Sequence, residues 1–358
     1  MTTIIIAFFS LVFLAILHEL GHFLLAKKFG VKVEEFGIGY PPRLIGKKVG
    51  ETIYSLNLLP FGAFVKMPGE IGKSEDPRSF SQQSVWKRVL IALGGVFSFW
   101  IIALTIFSIV FTVGAPISVG DEDNSDLINP ELRIAAVVAG SPAEDAGLRI
   151  GDMIKKISVS DNQLTSIKVK EFQNFVNFYS GKKVDLLIER GEEVFETSLV
   201  PRVSPPAGEG PMGIALVRTA IQKYPWYSAI WQGILTTGRF TLAIIQSYGD
   251  AIGNIFRRMP TGIQLVGPVG VFQMLTQTQQ LGVVYFLNFL ALISIHLAIF
   301  NSLPIPAVDG GRVLFLAIEA LRKKPVSEKV EVNMTVFSFA ILIILMIFVT
   351  VKDILRIF

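Results

Sequence analysis

Apolar residues crowd into four runs of this chain, at 4–25, 89–113, 283–303 and 332–351. Each is near the roughly 20 residues an α-helix needs to cross a bilayer core. Between the second and third runs the pattern changes to that of a soluble α/β domain, from about 119 to 217. There the alternating stretches 133–138, 153–159, 183–189 and 194–200 predict strands, 169–179 predicts a helix, and SPPAGEG at 204–210 reads as a loop. After Pro225, Trp226, Ile230 and Ile234, and likewise Tyr227, Trp231 and Leu235, recur at helical spacing. With Gln232, Arg239, Gln246 and Asp250 interspersed as far as about 258, they predict an amphipathic helix on the outer membrane interface, its Trp and Tyr at headgroup level. A fifth, weakly apolar span there would break the charge topology.

The stretch 26–88 is not helical in pattern. EEFGIGYPPRLIG and TIYSLNLLPFGAFVKM alternate β-favouring residues with Gly and Pro, which predicts short strands. Phe61, Phe64, Val65 and Met67 are too apolar for a solvated loop. A β-hairpin dipping into the membrane beside the first helix accounts for them, since non-helical backbone survives at that depth only where protein or a wet cavity satisfies it. The alternative is a small cytosolic β-unit that packs on itself.

Charge orients these elements. Lys27, Lys28, Lys32, Arg43, Lys47, Lys48, Lys66, Lys73, Arg78 and Lys87 lie in the loop after the first run, and Arg312, Arg322, Lys323, Lys324 and Lys329 in the loop after the third. By the positive-inside rule both loops are cytoplasmic, which leaves the termini and the soluble domain outside. Lys352 and Arg356 are a mild counter-signal. With 358 residues, 51% of them hydrophobic, the chain suits an integral membrane protein with one modest soluble domain better than a purely soluble enzyme. No cysteine is present, so thiolate ligands, disulfides and a Cys nucleophile are ruled out. The net charge of +4 is small and no nucleic-acid motif occurs. The first run lacks a basic n-region and ends in Lys27 and Lys28, so it reads as a retained span and not a signal peptide.

Inside that first run stands HELGH, with His18, Glu19 and His22. Positions i and i+4 share a helix face, so both imidazoles can reach one Zn²⁺, and Glu19 beside the first ligand is placed as general base. A chance match to HExxH is the ordinary alternative. It is weakened because two of the three histidines sit four apart in hydrocarbon with a carboxylate beside them, where an unpartnered charge costs several kcal/mol. His18 lies roughly 13 Å from the cytoplasmic end at Lys27, counting the rise per residue. Two other residues invite chemistry. His296 sits in the middle of the third run and rivals other donors as a third ligand. Asp309 reads from the sequence alone either as a ligand or as the N-cap of a helix over 310–321.

HELGH, SPAEDAGLRIGDMIKKI at 141–157, GPVGV at 267–271 and NSLPIPAVDGG at 301–311 occur in an order that resembles the site-2 intramembrane metalloproteases, in the bacterial regulator-of-sigma-E protease branch. HELGH is moderately specific and GLxxGD only suggests a PDZ domain, but the set together is highly specific and spans nearly the whole chain. The resemblance implies a multi-pass α-helical membrane protein with four transmembrane helices, a membrane-associated β-hairpin region and one inserted α/β PDZ-like domain. The expected organisation is 1–118 for two spans with HExxH and the hairpin region, 119–217 for the PDZ-like domain, 218–282 for the interfacial helix and linker, and 283–358 for the last two spans.

The resemblance also implies that Asp309 completes the zinc site, and that Asn301 holds substrate backbone or the oxyanion. It places the protein in a bacterial inner membrane. Its substrates would be single-span membrane proteins, such as an anti-sigma factor already trimmed by another protease, or signal-peptide remnants. A hairpin over 37–40 and 58–66, with Phe61, Gly62 and Phe64, would take the unwound substrate by strand addition. The PDZ-like domain would bind a new C-terminus or exclude untrimmed substrates. Two departures stand out. His296 replaces the usual Asn and is read as a substrate-side or supporting residue, and ALGGVFSF at 92–99 lacks the usual Gly-Pro and later Asn.

Overall fold

The computed structural model describes residues 2–72, 74–122, 128–165, 168–191, 193–206, 208–257, 259 and 266–357. In chain order it begins with α1 (Thr2–Lys28), β1 (Glu35–Val49), β2 (Thr52–Lys66) and α2 (Val85–Val113). There follow β3 (Ala115–Ser118), β4 (Ile128–Val137), α3 (Pro142–Asp145), β5 (Met153–Val159), β6 (Asn162–Leu164), α4 (Val169–Phe178), β7 (Val184–Arg190), β8 (Glu193–Leu199) and β9 (Ile214–Gln222). The chain closes with α5 (Trp226–Phe256), α6 (Pro268–Gln280), α7 (Val283–Ser302), α8 (Asp309–Arg322) and α9 (Glu328–Ile357). Two compact units result: a helical one from Met1–Ser108, Ile230–Thr276 and Leu287–Phe358, and a β-rich one from Ile109–Ala229 and Gln277–Phe286.

Among the described residues four helices are long and apolar enough to cross a membrane: Thr3–Lys28, Val85–Val113, Val283–Ser302 and Glu328–Leu355. Their surfaces agree with their composition, since Phe337 and Ile344 on α9 are each 68% exposed and Phe9 and Phe13 on α1 are also open. So much contiguous apolar surface is stable only against lipid.

In the helical unit α1 and α2 meet backbone to backbone. A Cβ on Gly21 would lie 2.2 Å from the Gly94 carbonyl oxygen, and one on Gly94 would lie 2.7 Å from that of Gly21. Small residues at the crossing are how membrane helices gain close packing without a hydrophobic drive. Against α1 also lies a sheet from β1 and β2. Residues 35–38 pair with 53–56 and with 63–66, while 43–49 pair with 52–57. Phe23 of α1 packs on Phe36 and Tyr54 with ring centroids 5.4 and 6.0 Å apart, and Phe61 reaches Phe8 at 5.8 Å. The sheet therefore follows α1 for about 22 Å of its length.

Several polar groups of this sheet bond to one another. Glu35 accepts from Arg43 at 3.1 and 2.6 Å and from the Ser55 hydroxyl at 2.6 Å, and Asn57 donates to the Gly39 carbonyl at 3.1 Å. Leu44, Ile45, Leu56, Leu58 and Phe61 are exposed. α5 lays a narrow buried stripe, Gly233, Thr237, Ile244 and Ala251, on the unit; Gly233 abuts Leu104 and Ser108, and Phe240 stacks on Phe107 at 5.7 Å. Asp353 near the end of α9 accepts the backbone N–H groups of Gly267 and Gly270 at 2.9 and 2.8 Å, and so caps α6. That cap gives the GPVG stretch its structural purpose.

The β-rich unit is a sheet of order β3-β9-β4-β5-β7-β8, with β6 on β5. Its core gathers Leu132, Ile134, Ile157, Leu186 and Ile188 under Phe172 and Val176 of α4. Buried Asp152 holds the Arg190 guanidinium at 2.6 and 2.7 Å. Gly151, at φ +91°, leaves the space that Leu281 fills, and Arg133 lies 5.2 Å over the Tyr285 ring, so the turn before α7 is seated on this unit.

Candidate metal centre

α1 carries His18 and His22 on one face because they are a helical turn apart, and their Nε2 atoms lie 3.4 Å from each other. A distant segment supplies the third corner. Asp309 Oδ2 is 3.3 Å from His18 Nε2 and 3.5 Å from His22 Nε2. These three edges match the roughly 3.4 Å edge of a tetrahedron with metal–ligand bonds of about 2.0–2.1 Å. Oδ2 is buried and has no hydrogen-bond partner among the described residues. An orphaned carboxylate oxygen facing two imidazole nitrogens is costly without a cation between them, so the donor set fits zinc, with the fourth position left for water or substrate. Glu19 offers a carboxylate oxygen within 4.8 Å of both imidazole donors, a separation that one water bridges.

Each donor is held from behind. The His22 Nδ1–H donates to the Ile91 carbonyl at 2.8 Å, which fixes the tautomer and frees Nε2. The His18 ring stacks on Phe99 at 4.6 Å. Gly95 forms the floor: a Cβ there would stand 2.3 Å from His22 Nε2 and 2.4 Å from His18 Cε1. Asp309 is the first residue of α8, whose N-cap is Val308, so the capping alternative is set aside in favour of a carboxylate turned to the histidines. Gly310 and Gly311 permit that turn, since a Cβ on either would strike the Leu303 or Ile305 carbonyl at 2.2 or 2.1 Å.

These donors sit on a chain matched to the model of Peptidase family M50 over residues 5–345. The chain belongs to this family. Among relatives of the M50 peptidase, a Clostridium perfringens protein named "Putative zinc metalloprotease" is 35% identical and covers 98% of both chains. The Regulator of sigma-W protease RasP of Bacillus subtilis is 27% identical, over 99% of this chain and 98% of that one. A Zinc metalloprotease RasP of Oceanobacillus iheyensis is 26% identical over the full length of both. The M50 peptidase is therefore a membrane zinc metalloprotease of the site-2 type.

The other residues singled out by sequence are not among these donors. His296 is exposed on α7, donates Nδ1–H to its own helix at Leu292 (2.9 Å), and meets Tyr248 of α5 edge-on at 6.3 Å. Asn301 donates from Nδ2 to the Leu297 carbonyl at 2.9 Å. Phe64 stacks on Tyr40 at 6.2 Å, Gly62 takes a positive φ of +88° beside that ring, and Phe61 is exposed at Phe8. Sequence reasoning did not anticipate the Ile91 carbonyl, the Phe99 ring or the role of Gly95 as a floor. The first has no side-chain signature, and the last was visible only as a glycine pair in a span of large residues.

Replacing Gly95 with alanine is expected to weaken zinc binding by roughly 10–100-fold while every ligand remains, measured as zinc bound per protein under chelator competition.

Proposed function

We propose that the M50 peptidase hydrolyses peptide bonds within the transmembrane segments of single-span membrane proteins, with zinc held by His18, His22 and Asp309. The observation that carries this reading is the position of His18 and His22 on α1, a helix long and apolar enough to span, with Asp309 brought against them. By the positive-inside rule the loop after α1 is cytoplasmic, the β-rich unit and termini are outside, and the site lies toward the cytoplasmic leaflet. α5 begins with Trp226, Tyr227 and Trp231 at the outer headgroups and leans on the spans.

Zinc, when bound, acidifies water and polarises the scissile carbonyl. Glu19 takes the proton from the attacking water and returns it to the leaving amine. A helical substrate must first unwind, because its carbonyls are bonded internally. Among the described residues, 63–66 pair on one side only, so this edge, carrying Phe64 beside Gly62 and Phe61, is suited to receive the extended chain. With Asn301 Nδ2 committed to its helix, its Oδ1 is the acceptor left for a substrate N–H. His296 offers Nε2 on an exposed side of α7, beside Tyr248 of α5, as a contact for the entering helix.

The relative named as a regulator of sigma-W supports a signalling substrate, such as an anti-sigma factor already trimmed by another protease. The β-rich unit is read as PDZ-like. A groove of about 590 Å³ beside α4, lined by Phe172, Val176, Asn177, Met212, Ile214 and Leu216, favours capture of a peptide C-terminus over simple steric exclusion.

Glu19→Gln is expected to bind zinc as before and to lose about 10²–10⁴-fold in cleavage; in cells the substrate then accumulates trimmed but uncut, as membrane proteomics would record. Phe64→Pro should impair cleavage with zinc content intact, and unchanged turnover would remove the strand-addition step. Deleting 119–217 tests the β-rich unit: cleavage of untrimmed substrate after deletion supports a filter, and loss of cleavage supports C-terminus capture.

A further inference from the structure

Two ion pairs, one buried and one partly buried, tie α8 to the rest of the helical unit, and neither is hydrogen-bonded to a zinc donor. Arg88, in the first turn of α2, grips the Glu319 carboxylate with both terminal nitrogens, one at 3.0 Å, and its Nε–H donates to the Gln83 carbonyl at 3.0 Å. Arg88 is buried and the Glu319 side chain is 18% exposed. The second pair joins Arg312, one turn beyond Asp309, to Glu70 at 2.6 Å, with the guanidinium also over the Phe80 ring. Glu70 follows the strand segment 63–66.

The two pairs lie on the same elements as the donors. α2 presents, in succession, Arg88 to Glu319, the Ile91 carbonyl to His22, and Gly95 under both imidazoles. α8 presents Asp309 to the imidazoles, Arg312 to Glu70 and Glu319 to Arg88. Glu319 lies about 15 Å along α8 from Asp309. At that arm a tilt of about 2° moves the Asp309 carboxylate by about 0.5 Å, which is the tolerance of a preorganised site. Salt bridges removed this far from water are poor sources of stability but strong sources of fixed geometry, and the bidentate Arg88–Glu319 contact sets direction as well as distance.

We propose that Arg88–Glu319 and Arg312–Glu70 are positioning pairs for the zinc site: they fix the tilt and rotation of α8 so that the Asp309 carboxylate reaches the two imidazoles. The inference rests on Asp309 being a zinc donor.

The test uses the full-length protein in lipid nanodiscs and reads two quantities: the zinc Kd by chelator competition and the thermal midpoint of the zinc-free protein. Glu319→Gln and Glu70→Gln are each expected to raise the zinc Kd by roughly 10–100-fold. The charge exchange Arg88→Glu with Glu319→Arg should bring the Kd back toward that of the unmodified protein. A purely structural role would lower the midpoint and leave the Kd of the folded protein where it was. An unchanged Kd in both single variants overturns the proposal, as does a charge exchange that folds without recovering zinc affinity. Should Glu319→Gln fail to fold, Glu70→Gln alone decides in the same way. Asp309→Ala is measured alongside: if it leaves zinc affinity intact, the ligand assignment itself fails, a result distinct from failure of the positioning pairs.

Discussion

Two helix backbones touch only where side chains have been removed from the crossing, and at Gly21 and Gly94 they have been. Both glycines face a peptide group of the other helix. That contact lets the Ile91 carbonyl reach His22 Nδ1 and sets Gly95 beneath the imidazoles. The same device recurs on the other side of the site, where Gly310 and Gly311 press against carbonyls of the preceding loop and swing Asp309 inward. Glycines at five positions thus surround the donors, and a methyl group at any of them would press on a neighbouring peptide group or on an imidazole.

Much of this was legible in the chain because some of the signals are local. The i, i+4 spacing of His18 and His22 needs only a helix, and the four apolar runs announce one each. Strand expectations at 153–159, 183–189 and 194–200 differ from the observed Met153–Val159, Val184–Arg190 and Glu193–Leu199 by no more than one residue at either end. What stayed hidden is non-local. Nothing near Asp309 separates a ligand from an N-cap, because its meaning lies in two histidines close to the other end of the chain. Arg88 and Glu319 stand 231 positions apart, and Glu70 and Arg312 stand 242 apart, and each reads alone as a solvated charge. β3 and β9 escaped for another reason. They lie where apolar spans run into the domain, so their alternation merges with neighbouring hydrophobic sequence.

Phe61 and Phe64 were legible as an anomaly before they had a place. Aromatic residues in a basic loop conflict with a cytosolic setting, and the conflict disappears once the sheet runs along α1 as far as Phe8. A sheet in that position must satisfy its own polar groups. Glu35 takes Arg43 and the Ser55 hydroxyl, and Ser55 takes Asn57, so the two charges of that set are paired with each other.

Among the described residues 63–66 form an open edge beside bare Leu58 and Phe61, and this has a consequence for the protein in detergent. Main-chain pairing does not discriminate among extended chains, so an uncovered edge accepts a second copy of the protein as readily as any peptide. Lipid packed around the ribbon would deny that approach. A detergent belt sized to the helices alone would not, and self-association in thin micelles is the physical cost of carrying an unfinished sheet.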